Sequence, residues 1–237
     1  MIRRQPLTAI VPVRGGSRGI PGKNLRRIGA DTLLERAVKL GLRSPWVDRV
    51  IVSTDDPEMY SIAKRYDAVS PALRPAHLAT EAATTAAVVR HLVAECKIAE
   101  GFLLLLQATA PLRTLADLDG LCQRYEEQDA DAIVSLVAID EPRPEKLKRI
   151  SGEHVFPYFA SAYEGPRQSL PQPYALNGAF YLISLVAFMR EGSFLPRSTL
   201  AYVMPPERSH NLDTITDWNI LEAMVGAGHW AVEEYGQ

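Results

Sequence analysis

The stretch AIVPVRGGSRGIPGKN, residues 9–24, decides how the rest of the chain reads. An apolar, β-branched run stops abruptly in a loop that carries Gly15, Gly16, Gly19 and Gly22 among Arg14, Arg18 and Lys23. Closely spaced glycines let backbone N–H groups approach an anion without interference from a Cβ, and the cations add long-range attraction. A plain strand-to-helix turn needs one or two glycines, so four beside three cations predict a phosphate cradle. Neither standard phosphate motif fits. Gly16 to Gly22 encloses five residues where a P-loop has four, and Lys23 is followed by Asn24 rather than Ser or Thr. No pair of these glycines supplies the Gly-x-Gly of the dinucleotide fingerprint, and Ile20-Pro21 keeps the loop extended.

Working outward, residues 7–13 predict a buried strand, and DTLLERAVKLGLRS (31–44) predicts a helix with a Thr32/Glu35 capping box. DRVIVSTDD (48–56) is a second strand ending in a polar turn, followed by helices over 57–66 and 84–97. GFLLLLQATAPLR (101–113) repeats the opening design: an apolar strand, 102–106, runs into a polar loop. A helix over 115–127, the strand DAIVSLVAI (131–139), then NGAFYLIS (177–184) and TLAYVMP (199–205) complete the sheet. The last helix begins at Thr214 or Thr216. Apolar strands without polar alternation, separated by amphipathic helices, predict a parallel sheet covered on both faces, a Rossmann-like three-layer α/β/α sandwich. Between 141 and 174 the chain turns rich in Pro and charge, which reads as a small β-rich insertion rather than one long loop.

Composition narrows the function. The net charge of −2 and a pI near 6.2 exclude a nucleic-acid coat and a polybasic membrane binder, so the cations of the loop serve local chemistry. No apolar run approaches the ~20 residues of a membrane span, and the N-terminal residues make too poor a core for a secretory signal. Cys96 and Cys122 have no metal-type spacing and read as reduced structural thiols. A cytoplasmic enzyme is the expectation.

VPVRGGSRGIPGKN closely resembles the signature of the acylneuraminate (CMP-sialic acid, nonulosonic acid) cytidylyltransferases. IVSTDD, RPAHLATEAATT, LLLLQATAPLR, PRQSLPQPY, NGAFYL and LDTITDW are similar to that family's successive blocks, in order, over nearly the whole chain. The resemblance implies a nucleotide-diphospho-sugar transferase type of fold, formed by residues 1–140 and 175–237. It also implies a homodimer, with residues 141–174 as a dimerisation and acceptor-site arm. The implied reaction moves CMP from CTP to the anomeric hydroxyl of a nine-carbon α-keto acid sugar, with Mg²⁺, and releases pyrophosphate. Chemistry of this kind needs positioning and charge neutralisation more than a nucleophilic side chain. By the match, Arg14, Lys23 and Asn24 lie along the triphosphate with the N–H groups of Gly15, Gly16 and Ser17, and Lys23 stabilises the departing pyrophosphate. Arg74 and Thr80 meet cytosine. Gln107, Lys146, Arg167, Asn177 and Tyr181 face the acceptor, while Arg113 steadies the loop after the third strand.

Two departures from the family pattern bear on substrate and metal. The metal segment usually reads Asp-x-Asp and here reads Asn211-Leu212-Asp213, which leaves Asp213 as the charged ligand and Asn211 as a neutral oxygen. Asp217 is either an auxiliary to the ion or the first-turn charge of the last helix. An arginine common before Asn-Gly-Ala in sialate-specific members is replaced by Ala175-Leu176. The acceptor therefore stays open among N-acetylneuraminate, legionaminate- or pseudaminate-type sugars and a ketodeoxynonulosonate. A 3-deoxy-octulosonate cytidylyltransferase and a catalytically silent nucleotide-binding homologue are the alternatives.

Overall fold

The hydrophobic residues that alternate along the first strand point to two different cores, and this sets the architecture. The structure, a computed structural model, describes residues 1–159 and 171–233. Strand β1 (Leu7–Pro12) leads through the glycine loop to the short ribbon β2 (Arg27–Ile28) and β3 (Asp31–Thr32), then helix α1 (Leu33–Arg43). There follow β4 (Arg49–Thr54), α2 (Pro57–Ala63), β5 (Val69–Leu73) and α3 (Thr85–Glu95). Next come β6 (Phe102–Leu105), α4 (Leu115–Glu126), β7 (Ala132–Ala138) and a hairpin of β8 (Lys148–Ser151) and β9 (His154–Pro157). The chain closes with β10 (Tyr174–Ser184), α5 (Leu185–Glu191), β11 (Thr199–Met204) and α6 (Ile215–Gly226).

Seven strands form one sheet in the order β11-β7-β10-β6-β1-β4-β5. Leu7, Ala9 and Val11 of β1 enter one core, with Val50, Val52, Phe102 and Leu104 and the apolar faces of α1 and α4. Ile10, Ile51, Leu103 and Leu105 enter the other, against α3 and α5. Both faces of the sheet are thus buried, as the lack of polar alternation requires. Burial also pushes the Cys122 thiol up to about 12, in keeping with a structural role. Among the described residues, no helix is long and apolar enough to cross a membrane.

Three elements depart from the sequence expectation. Strand β10 runs antiparallel to both β6 and β7, so the sheet is mixed rather than all parallel. The reason lies in the connection: the chain enters β10 at the end of the sheet where it left β7. The next strand must therefore run the other way. Strand β5 and helix α5 are additional elements. Pro71 masks β5 in the sequence, yet β5 lies at the sheet edge, where a missing N–H is tolerated. Helix α5 is only 7 residues long, capped by Ser184 and stopped by Gly192 at φ 66°. The insertion is β-rich as expected in so far as it is described: β8 and β9 pair only with each other.

The loop after β6 is tied to the sheet by Arg113, which is 2% exposed. Its guanidinium donates to the carbonyls of Gln107 (2.7 Å) and Ala179 (2.9 Å) and lies over the Phe180 ring. Arg113→Ala leaves both carbonyls without this donor inside the protein, and the expected cost is about 3 kcal/mol of stability. Urea denaturation measures it; a loss below about 1 kcal/mol would mean that the loop holds its place unaided.

Candidate active site

The parallel strands β1, β4 and β6 all point their carboxyl ends to the same edge, and ligands bind beyond that edge in open α/β sheets. A cleft of about 520 Å³ opens there. Arg14, Ser17, Lys23, Asn24, Arg74, Thr80, Gln107, Asn211 and Asp213 all line it. These nine come from four separated segments, so the fold gathers most of the residues singled out in the sequence.

The glycine loop is held by hydrogen bonds of its own residues. Asn24 is buried and donates its amide to the Arg14 carbonyl (3.0 Å), while Ser17 N–H donates to Gly15 O (3.1 Å). Gly22, at φ 61°, turns the chain into the single 3-10 turn Lys23–Leu25. Gly19 makes the closest approach. A Cβ built there would sit 2.0 Å from the carbonyl oxygen of Asp213, so only glycine lets the loop and the 211–213 segment touch. Lys23 reinforces the contact, donating to Leu212 O (2.8 Å) with its Nζ 3.9 Å from the Asp213 carboxylate. Burial pulls the Lys23 pKa down, the Asp213 carboxylate pushes back, and Arg14 adds to the lowering. The other end of the segment is fixed by Leu212 N–H, which donates to Thr109 O (2.9 Å) in the loop after β6.

Arg74 is held at the end of β5, where its guanidinium donates to the carbonyl (2.9 Å) and hydroxyl (3.3 Å) of Ser53. Burial lowers its pKa, with the Asp55 carboxylate opposing and Arg14 assisting. Asp55 also accepts from the Gly15 N–H (3.2 Å), so the polar turn after β4 braces the glycine loop. On the far side, Gly178 at φ 74° sits in the irregular part of β10, and a Cβ there would fall 2.8 Å from Gln107 Oε1 and 3.1 Å from Asn211 Oδ1. This glycine lets both amide heads close on the cleft floor.

For a metal ion, the oxygen donors are Asp213, whose carboxylate is 72% exposed, and Asn211 Oδ1, which is buried without a hydrogen-bond partner. Asn211 Nδ2 donates to Asp213 Oδ2 (2.8 Å), joining the two. An all-oxygen pair with a single charge fits a hard cation such as Mg²⁺, which keeps waters and shares substrate phosphates. Among the described residues no cluster of three His, Cys, Asp or Glu side chains offers a complete protein cage. Asp217 faces elsewhere: its carboxylate accepts from the N–H groups of Asp213 and Thr214 and from the Thr214 hydroxyl, completing the capping box of α6.

Other expected residues lie apart from the cleft lining. Asn177 is buried and its amide is engaged by Ser135 (2.6 Å), Ser209 (2.9 Å) and the Ala179 N–H (3.2 Å), so it organises the irregular part of β10. Tyr181 packs in the core with Phe194, and burial raises its pKa. Lys146 is exposed and paired with Glu141 (2.7 Å). Arg167 lies outside the described residues. Glu81, Thr85 and Thr109 also line the cleft; they belong to blocks quoted above, but an acidic residue such as Glu81 gave no hint of belonging to an anion site.

The Asp217 cap makes a pH-dependent prediction. Burial alone would raise this carboxyl, but its hydrogen bonds from Thr214 and Asp213 hold it below the usual value. The stabilisation is therefore fully present above the ordinary carboxylate pKa and is lost as pH falls through the lower, folded one. Asp217→Asn should cost about 1 kcal/mol at neutral pH. Its stability should fall less steeply than the parent's below about pH 4. Thermal melts between pH 3 and 7 measure this; parallel curves for the two proteins would contradict it.

The chain is 29% identical over 88% of its length to an N-acylneuraminate cytidylyltransferase of Streptococcus agalactiae, of which it covers 51%. It is 25% identical over 93% of its length to a pseudaminic acid cytidylyltransferase of Campylobacter jejuni, covering 96% of that protein. It is 27% identical over 92% of its length to a CMP-N,N'-diacetyllegionaminic acid synthase of Legionella pneumophila, again covering 96%. The chain thus spans about half the length of the N-acylneuraminate relatives it matches and nearly all of the other two. Among solved structures, a CMP:2-keto-3-deoxy-manno-octonic acid synthetase complexed with CTP superposes with a TM-score of 0.67 at 15% identity, covering 94% of this chain and 99% of that one. The fold is therefore shared with nucleotidyltransferases. The profile of the cytidylyltransferase family matches residues 8–155, more than half of the sequence, and the chain belongs to that family.

Proposed function

We propose that this protein transfers CMP from CTP to the anomeric hydroxyl of a sialic-acid-like nonulosonic acid, releasing pyrophosphate. The observation that carries the reading is the cleft itself. In a chain of the cytidylyltransferase family, it gathers the glycine loop, Arg14, Lys23, Arg74, Gln107 and Asp213 at the carboxyl edge of the sheet. The triphosphate lies along residues 14–24, with cytosine toward Arg74 and Thr80 and the acceptor toward Gln107. The acceptor hydroxyl oxygen bonds to the α-phosphorus as the bond from that phosphorus to the oxygen bridging to the β-phosphate breaks, pyrophosphate leaves with that oxygen, and the hydroxyl proton passes to solvent water. Lys23 carries a charge that burial has stripped of water, which strengthens its attraction for the pyrophosphate that departs. Asp213 and Asn211 would hold Mg²⁺, which when bound neutralises phosphate charge.

Relatives named for N-acylneuraminate, pseudaminic acid and N,N'-diacetyllegionaminic acid support a nine-carbon acceptor, and their identities of 29%, 25% and 27% favour none of the three strongly. The two cysteines have no disulfide partner, in keeping with a cytoplasmic enzyme. A homodimer is part of the same proposal. The β8–β9 hairpin and the segment after it expose Ile150, Val155, Phe156, Tyr158 and Phe159, an apolar surface that a second copy would cover. Light scattering at micromolar concentration should give twice the chain mass, and a monomer would contradict the dimer.

The activity test is pyrophosphate release from CTP and Mg²⁺ with a panel of nonulosonic acids and 3-deoxy-octulosonate. Release is expected with at least one nonulosonic acid. Lys23→Ala should lower kcat by about a hundredfold or more while leaving the melting temperature near that of the parent. CTP binding without release on any acid would favour a silent nucleotide-binding protein, and turnover on octulosonate alone would favour the eight-carbon reading.

A further inference from the structure

Glu81 is a second anion, beside Asp213, on the wall of a cleft that also carries Arg14, Lys23 and Arg74. Its carboxylate meets the guanidinium of Arg18 at 2.6 Å, bridging the glycine loop to the segment after Arg74. The pair also borders an adjoining recess between residues 14–18 and 79–81, so it stands between two open spaces. Arg18 is 84% exposed and Glu81 49%, and so solvated an ion pair holds little of the fold together. The same arrangement recurs nearby. The Gly15 N–H, a donor that a phosphate would use, is taken by the Asp55 carboxylate. Two of the protein's own carboxylates thus occupy donors of the phosphate cradle.

We propose that Glu81 is a built-in counter-anion that sets the affinity of the triphosphate site by competing for Arg18. Glu81 keeps Arg18 beside the cleft when no nucleotide is bound. An incoming triphosphate, with more charge than a single carboxylate, takes over the guanidinium. When the chemistry leaves pyrophosphate behind, Glu81 reclaims Arg18 and weakens the hold on the product. Glu81 is thus a positioning residue that acts through Arg18, and it trades binding strength for release. The proposal rests on the reading that the cleft accepts CTP. The competition itself requires only a linear polyphosphate.

Calorimetric titration of CTP, and separately of inorganic tripolyphosphate, into the parent, Glu81→Gln, Arg18→Gln and the double variant tests it. Glu81→Gln should bind both ligands about threefold to tenfold more tightly than the parent and release pyrophosphate more slowly. In the Arg18→Gln background the same change should alter affinity by less than about twofold, because the competitor has lost its target. Unchanged or weaker binding by Glu81→Gln overturns the proposal. Equal tightening in both backgrounds also overturns it, since Glu81 would then act by simple repulsion. A parent that binds tripolyphosphate but not CTP would remove the cytidine reading while the tripolyphosphate arm still decides the exchange. A parent that binds neither removes both.

Discussion

The carbonyl oxygen of Asp213 occupies the space that a side chain at residue 19 would need. This contact joins the first loop of the sheet to a segment almost two hundred residues later, and Lys23 and Asp213 beside it line the cleft. Lys23 seals the junction through Leu212 O, and Leu212 N–H carries it on to the loop after β6. Three loops from three parts of the chain are thereby fixed to one another above the sheet edge. The strands set where they start, and these few hydrogen bonds set where they end.

The same junction concentrates charge where the fold gains least from it. Lys23 is drawn out of water against its own preference and stands next to Arg14, with the Asp213 carboxylate, and more weakly Asp217, compensating. Asp55 and Glu81 supply further negative charge around the loop, through the Gly15 N–H and Arg18. On the proposed reading the site receives a polyanion, for which a surplus of local positive charge is the fitting partner, and the neighbouring carboxylates offset part of that surplus. The fold is secured elsewhere, by the two apolar cores and by buried ties such as Arg113.

Much of this was legible in the sequence because it depends on local rules. The apolar run before the glycine loop marks a buried strand, and Thr32 with Glu35 forms the expected capping box. Arg74 and Gln107 reach the cleft because they follow strand ends, and Lys23 and Asp213 reach it from the marked glycine loop and the segment before the last helix. What escaped depends on long-range pairing. The direction of β10 follows from how the chain leaves β7, which no periodicity encodes. Pro71 reads as a strand breaker until β5 is known to be an edge. Asn177 looks like a ligand from its motif, yet its amide is engaged by Ser135, Ser209 and the Ala179 N–H, partners up to 42 residues away in sequence. Glu81 escapes the sequence because a carboxylate has the wrong sign for an anion site, and its tie to Arg18 is visible only in the fold.

The central claim is that the contact between residue 19 and the 211–213 segment builds the nucleotide site. It is tested most directly by measuring CTP affinity in Gly19→Ala. The added methyl cannot share space with the Asp213 carbonyl, so loop and segment must part by an ångström or more. Affinity for CTP should fall by about tenfold to a hundredfold, with the melting temperature within a few degrees of the parent's. CTP binding as tight as the parent's would show that the site does not depend on this contact.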